Sequence, residues 1–175
     1  WTGFYTGFLK EVGDLVDVVT WTEDFGSQRA LLVSPAVYRD LFKPWHRQIF
    51  AMIKRQAPAA RLSFHSCGSV APLIEDFVDA GADILQGVQL TADGMDPYEL
   101  KRRFGDRLCF HGAIDSQQAL RGSLSDLEVF ARRSLDALAP GGGYILAPSV
   151  AIQDDTPAAN VARLYELGRT EGRYP

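Results

Sequence analysis

The chain has 175 residues, 46% hydrophobic and 23% charged, with a formal net charge of −4 and a pI near 5.3. Those values describe a soluble globular protein with enough chain for one core. Its 18 Lys and Arg are scattered among 22 acids, which argues against nucleic acid as a partner. No apolar run approaches the roughly 20 residues of a membrane helix, and no secretion leader is visible. Two cysteines make no disulfide framework, so the expected compartment is a reducing cytoplasm. The first residue is Trp1 rather than Met, which suggests a missing upstream part.

One pattern recurs five times: a short apolar strand, a polar or glycine-bearing turn, then an amphipathic helix. Phe4, Phe8 and Val12 place a leading helix over about Thr2 to Val12. DVVTW, residues 17–21, reads as the first strand, and the loop TEDFGSQRALLV follows it. Ser34 and Pro35 supply an N-cap and a first-turn proline. From Tyr38 to Ile53 an apolar stripe then runs at helical spacing, and Pro44 within it should kink or split the helix. His46 falls in the middle of that helix and reads as a surface or interface residue. The aromatic stripe from Tyr38 to Trp45 reads as core or interface.

RLSFH, residues 61–65, is the second strand, with a helix from Ser69 to Ala80 closed by Gly81. ADILQGV (82–88) is the third, followed by Asp96-Pro97 and a short helix ending at Gly105. RLCFHGA (107–113) is the fourth, and Ser125 with Glu128 predicts a capping box for its helix. GYILAPS (143–149) is the fifth, and Thr156-Pro157 should cap a last helix carrying Val161, Leu164 and Tyr165. Gly141, Gly142 and Gly143 make a helix-to-strand turn rather than a phosphate cradle. No linker divides the chain, so residues 1–175 read as one domain.

Strands alternating with helices predict parallel βαβ units, which a five-stranded doubly wound sheet or a (β/α)8 barrel would satisfy. The strand ends discriminate. Barrel enzymes gather working residues at the C-terminal ends of several strands. Here those ends carry Glu23 and Asp24, then His65 and Cys67, then Gln86 and Gln89, then His111 and Asp115, then Gln153. The expected fold is therefore an α/β TIM barrel, present as its C-terminal portion with about five βα units.

His65 and Cys67 stand two apart where a strand gives way to a helix. Positions i and i+2 of a strand share a face, so both can bind one ion, and imidazole with thiolate suits Zn²⁺. A catalytic zinc takes three protein ligands and an open position, leaving His111, Glu23, Asp24 and Cys109 as candidates for the third. The same pair also fits a hydrogen-bonded core histidine beside a small buried thiol, and on the sequence alone both readings stand. Cys109 lies in LCF, read as mid-strand and core. His111 suits a general acid or base, or a donor to a bound carboxylate. Glu23 and Asp24 suit catalysis or a metal; Gln86, Gln89, Asp115 and Gln153 are candidate substrate-binding residues.

The stretches EDFGSQ with LLVSPAVYRDLFKPWH, FHSCGSVAPLIEDFVDAGADILQGVQ, GMDPYELKRRFGDRLCFHGAIDSQQAL and LAPGGGYILAPSVAIQDDTPAANV resemble the uroporphyrinogen decarboxylase superfamily. That group includes decarboxylases of haem synthesis and zinc enzymes that pass methyl groups from a corrinoid to a thiol. The resemblance implies zinc on His65 and Cys67, a corrinoid donor and possible corrinoid-protein partner, and methyl transfer to a thiol. Its methyltransferase branch completes the zinc site with a cysteine near the last strand, where this chain has Ser149 and Val150. Its decarboxylase branch expects a histidine in the same segment, which Val150 replaces; carboxy-lyase activity is the alternative, and a barrel that binds a small acid without catalysis is the third reading. Five strands would leave two sheet edges open, which predicts a homodimer.

Overall fold

The computed structural model describes residues 2–173. Within them, five strands form one sheet: β1 (Val18–Thr22), β2 (Arg61–His65), β3 (Ile84–Val88), β4 (Cys109–Ile114) and β5 (Tyr144–Pro148). Their spatial order is β1-β2-β3-β4-β5, and every neighbouring pair is parallel. That order decides between the two architectures. Crossovers between parallel strands are right-handed in about 98% of cases, so a sheet that never reverses its order receives all its helices on one face. A doubly wound sheet must reverse at a switch point and carries helices on both. The chain therefore has the α/β architecture of a (β/α)8 barrel, with five of its units.

Alternation along the strands gives the two faces opposite characters. Val19, Trp21, Leu62, Phe64, Leu85 and Phe110 point toward the helices and are at most 8% exposed. Thr22, His65, Gln86, His111 and Ile145 lie in one register row across the sheet and share its inner face. Under the helices the packing is aromatic. Phe64 meets Phe77 edge-on at 4.7 Å and Phe50 at 5.5 Å, and Phe25 meets Tyr38 at 5.0 Å.

The helical layer comprises α1 (Thr2–Val12), α2 (Pro35–Val37), α3 (Lys43–Gln56), α4 (Ile74–Ala80), α5 (Pro97–Phe104), α6 (Leu124–Leu138) and α7 (Ala158–Glu171). Ser34 caps α2 by accepting the Val37 amide at 3.2 Å, and Asp96 caps α5 through the Glu99 amide at 3.0 Å. Gly81 closes α4 with φ of 115°, a left-handed conformation that a side chain would strain.

The helix around Pro44 is divided, as expected, by a change of winding. A π-helical turn, Tyr38–Phe42, joins α2 to α3, and the Lys43 amide bonds back five residues to the Tyr38 carbonyl. Pro44 then falls in the first turn of α3, where no intrahelical N–H is required of it.

Four sequence expectations are corrected. His46 is 2% exposed and belongs to the core, because its ring lies parallel to Phe50 and edge-on to Phe64. The cap of α6 is Ser123, which accepts the Asp126 amide at 3.1 Å; the fully buried Leu127 starts the apolar stripe, so the helix begins a turn before it. No side chain caps α7, whose N-cap position is Pro157. Cys109 opens β4 rather than sitting mid-strand, and it is half-buried. Among the described residues, no helix is long and apolar enough to cross a membrane.

Candidate metal centre

The site lies at the C-terminal ends of β1, β2 and β3. Past its strand, each chain continues the ladder by one step: the Glu23 amide bonds the His65 carbonyl at 3.1 Å, and the Ser66 amide bonds the Gln86 carbonyl at 3.2 Å. The three loops that follow are fastened to one another. Fully buried Ser66 accepts the Phe25 amide at 3.0 Å. The Ser69 amide reaches the Ser27 carbonyl at 2.8 Å, its hydroxyl reaches the Asp93 carbonyl at 2.7 Å, and the Asp93 amide returns to Gln28 at 2.9 Å. Side chains on these loops are held by backbone that has little freedom to drift.

Asp24, His65 and Cys67 each offer one donor atom, and the three atoms lie within 4.8 Å of one another. An Asp24 carboxylate oxygen accepts the Cys67 amide at 3.1 Å and stands 3.5 Å from His65 Nε2. His65 Nδ1 is hydrogen-bonded to the Gln86 side-chain oxygen. That bond requires the proton on Nδ1, so in the neutral ring Nε2 presents its lone pair toward the carboxylate. Nitrogen, oxygen and sulfur thus stand close enough together to share a metal ion. Gly87 makes the arrangement possible: a Cβ there would come within 2.7 Å of the His65 ring, and its φ is 86°.

The donor set suits zinc. Nitrogen at about 2.0–2.1 Å, oxygen at 2.0–2.2 Å and sulfur near 2.3 Å in a tetrahedron put donors about 3.5 Å apart, which small side-chain rotations reach from the observed spread. Three protein donors leave the fourth position open. The imidazole's second nitrogen is tied to an amide oxygen, the arrangement that fixes the ring of a metal ligand. Burial, then the neighbouring Asp24 carboxylate, pushes the Cys67 thiol up to about 11. The proton held there is the one a metal would displace.

The two adjacent carboxylates part company. Extended residues alternate in direction, so Asp24 turns inward to the site while Glu23 turns outward, its carboxylate 2.9 Å from His46 Nε2 on α3. Glu23 supplies none of the three donor atoms that lie together. His111 faces the interior in the row of His65 and Gln86, half-buried. Burial, then the nearby His65, holds its imidazole below the usual histidine range. Gln86 is engaged by His65.

The remaining sequence candidates sit apart. The Asp115 carboxylate accepts the amides of Gln117, Gln118 and Ala119 at 3.2, 2.7 and 3.0 Å, so it holds its own loop. Gln89 is buried. Gln153 is exposed and donates to the Ala151 carbonyl within its loop at 3.0 Å. Ser149, at the position where the resemblance called for a thiolate, is buried against the Ser116 hydroxyl at 3.3 Å. The residue grouped with His65 and Cys67 is instead Asp24, from the β1 end. Sequence reasoning had Asp24 among several candidates but missed the link from Gln86 to His65, which depends on strand register. The glycine directly after Gln86, inside a strand, was the available signal of a close approach.

A family model described as uroporphyrinogen decarboxylase (URO-D) matches residues 6–170. No curated protein matches the chain.

Proposed function

The chain belongs to the uroporphyrinogen decarboxylase family, and from that premise we propose that it serves metal-dependent methyl transfer to a thiol. The observation that carries this reading is the convergence of Asp24, His65 and Cys67 on one point, with His65 oriented by Gln86. These three residues would hold Zn²⁺. When bound, zinc supplies a positive charge that lowers the pKa of an incoming thiol toward neutrality.

The chain's own residues do the rest. Gln86 keeps the His65 proton on Nδ1 and so keeps Nε2 available. The cross-fastened loops hold Asp24 and Cys67 at the rim. His111, neutral and on the inner face, stands ready to take the proton that the thiol gives up. The thiol sulfur then forms the new bond to the methyl carbon, and the donor keeps the electron pair of the bond that breaks. A corrinoid, free or on a carrier protein, is the proposed donor, and a second copy of the chain is proposed to cover the open edges of β1 and β5.

Cobalt(II) substitution tests the reading. One equivalent should bind with a sulfur-to-cobalt charge-transfer band that Cys67→Ala abolishes. The zinc-loaded protein should then demethylate methylcobalamin in the presence of a small thiol. Unchanged metal binding in Cys67→Ala would overturn the site, and metal-independent consumption of uroporphyrinogen would move the activity to decarboxylation.

A further inference from the structure

A buried relay lies directly behind the site, and the mechanism above does not use it. Tyr38 is fully buried, and its hydroxyl is 2.9 Å from His46 Nδ1. His46 Nε2 is in turn 2.9 Å from a Glu23 carboxylate oxygen. Both ring nitrogens of a histidine that is 2% exposed are therefore engaged. Burial, then Asp76 and Glu23, pushes the Tyr38 phenol well above the usual tyrosine range. It keeps its proton and donates it to Nδ1, which leaves Nε2–H to donate to Glu23.

The aromatic surroundings hold this chain of groups in place. His46 lies parallel to Phe50 at 5.3 Å, edge-on to Phe64 at 5.1 Å, and 5.9 Å from Phe25. Placing a polar ring there costs desolvation that a phenylalanine would avoid. Its effect is on Glu23, whose side chain is 37% exposed and stands at the sheet rim. Residues 23 and 24 share a peptide unit, and the Glu23 amide is already bonded to the His65 carbonyl. Anchoring Glu23 outward at one end and through its amide at the other fixes the direction in which Asp24 leaves the strand.

We propose that Tyr38, His46 and Glu23 form a positioning relay that fixes Asp24 as a metal ligand. The relay works from the helix side of the sheet, while Gln86 orients His65 from the inner side. It rests on the metal-centre reading above, because the relay acts on Asp24 as a donor to that metal. Glu23→Ala removes the tether without opening the core. Glu23→Gln keeps an acceptor for His46 Nε2–H.

The experiment is cobalt(II) titration of the full chain, reading affinity and the visible d–d bands. Glu23→Ala should weaken cobalt binding about tenfold and alter the d–d bands, while the sulfur charge-transfer band survives. Glu23→Gln should restore most of the wild-type spectrum. Wild-type affinity and d–d bands in Glu23→Ala overturn the relay. Should that variant fail to fold by near-ultraviolet circular dichroism, Tyr38→Phe decides by the same two outcomes, with a loss of about threefold. Loss of binding in Cys67→Ala together with an unchanged Glu23→Ala sinks the relay alone. Unchanged binding in Cys67→Ala sinks the metal centre and the relay with it.

Discussion

The rim of the sheet has two halves that look alike in sequence and differ in structure. Over β1, β2 and β3, polar residues converge: Asp24, His65 and Cys67 face one point, Gln86 bonds the far nitrogen of His65, and the loops are bonded to one another. Over β4 and β5, His111 apart, the polar residues satisfy themselves. Asp115 caps its own turn, Ser116 and Ser149 pair, and Gln153 bonds within its loop. Polar residues at strand ends are therefore not enough to make a site. What separates a site from a well-built turn is donor capacity left over after the backbone has been served.

The contrast can be broken first at its centre. Cys67→Ala removes one of three donors, a share of a binding free energy of roughly 10–16 kcal/mol, and should weaken zinc about 10³-fold by competition with a chelating dye. A loss below tenfold would place the metal elsewhere. Gln86→Leu frees the His65 ring to turn and should cost about 10–100-fold in the same assay, with little change in melting temperature.

The pH profile sharpens the comparison next. The free thiol of Cys67, raised to about 11, is protonated at neutral pH, so metal binding must release that proton. Zinc affinity should therefore rise about tenfold per pH unit between pH 6 and 8. Without metal the sign reverses. A thiol whose folded value exceeds its ordinary 9.0 favours the folded state while it stays protonated. That contribution is whole below pH 9 and is lost as pH climbs through 11. Parallel melting curves with and without zinc should diverge over that interval.

The smallest effect on the metal comes from the other half of the rim. Asp115→Ala orphans three amides and should lower stability by about 1–2 kcal/mol in urea unfolding, with zinc affinity unchanged. Any shift in zinc affinity would join the two halves that the structure keeps apart.

Much of the fold was legible because its signals are local. Strand and helix periodicities, the Ser34-Pro35 start, the Asp96-Pro97 start and the Gly81 stop all act within a few residues. The closeness of His65 and Cys67 was legible from their spacing, although β2 ends at His65 and Cys67 stands two residues beyond it. What stayed hidden depends on neighbours in space. The choice between Asp24 and Glu23 turns on which residue leaves the strand inward. The bond from Gln86 to His65 turns on register between strands twenty-one residues apart. His46 looked like a surface residue because its aromatic neighbours Phe25 and Phe64 come from other parts of the chain.

The π turn at Tyr38–Phe42 has a consequence in angles. Tyr38 and His46 are eight residues apart, and at about 100° per residue a regular α-helix would leave them some 80° out of line. A turn closed over five residues instead of four absorbs one position, which brings the offset to about 20° and lets a phenol meet an imidazole. The helix thus stores one surplus residue as phase. Trimming it to ideal winding would rotate one half of the rod against the other, and aromatic side chains that now share a side would face different directions.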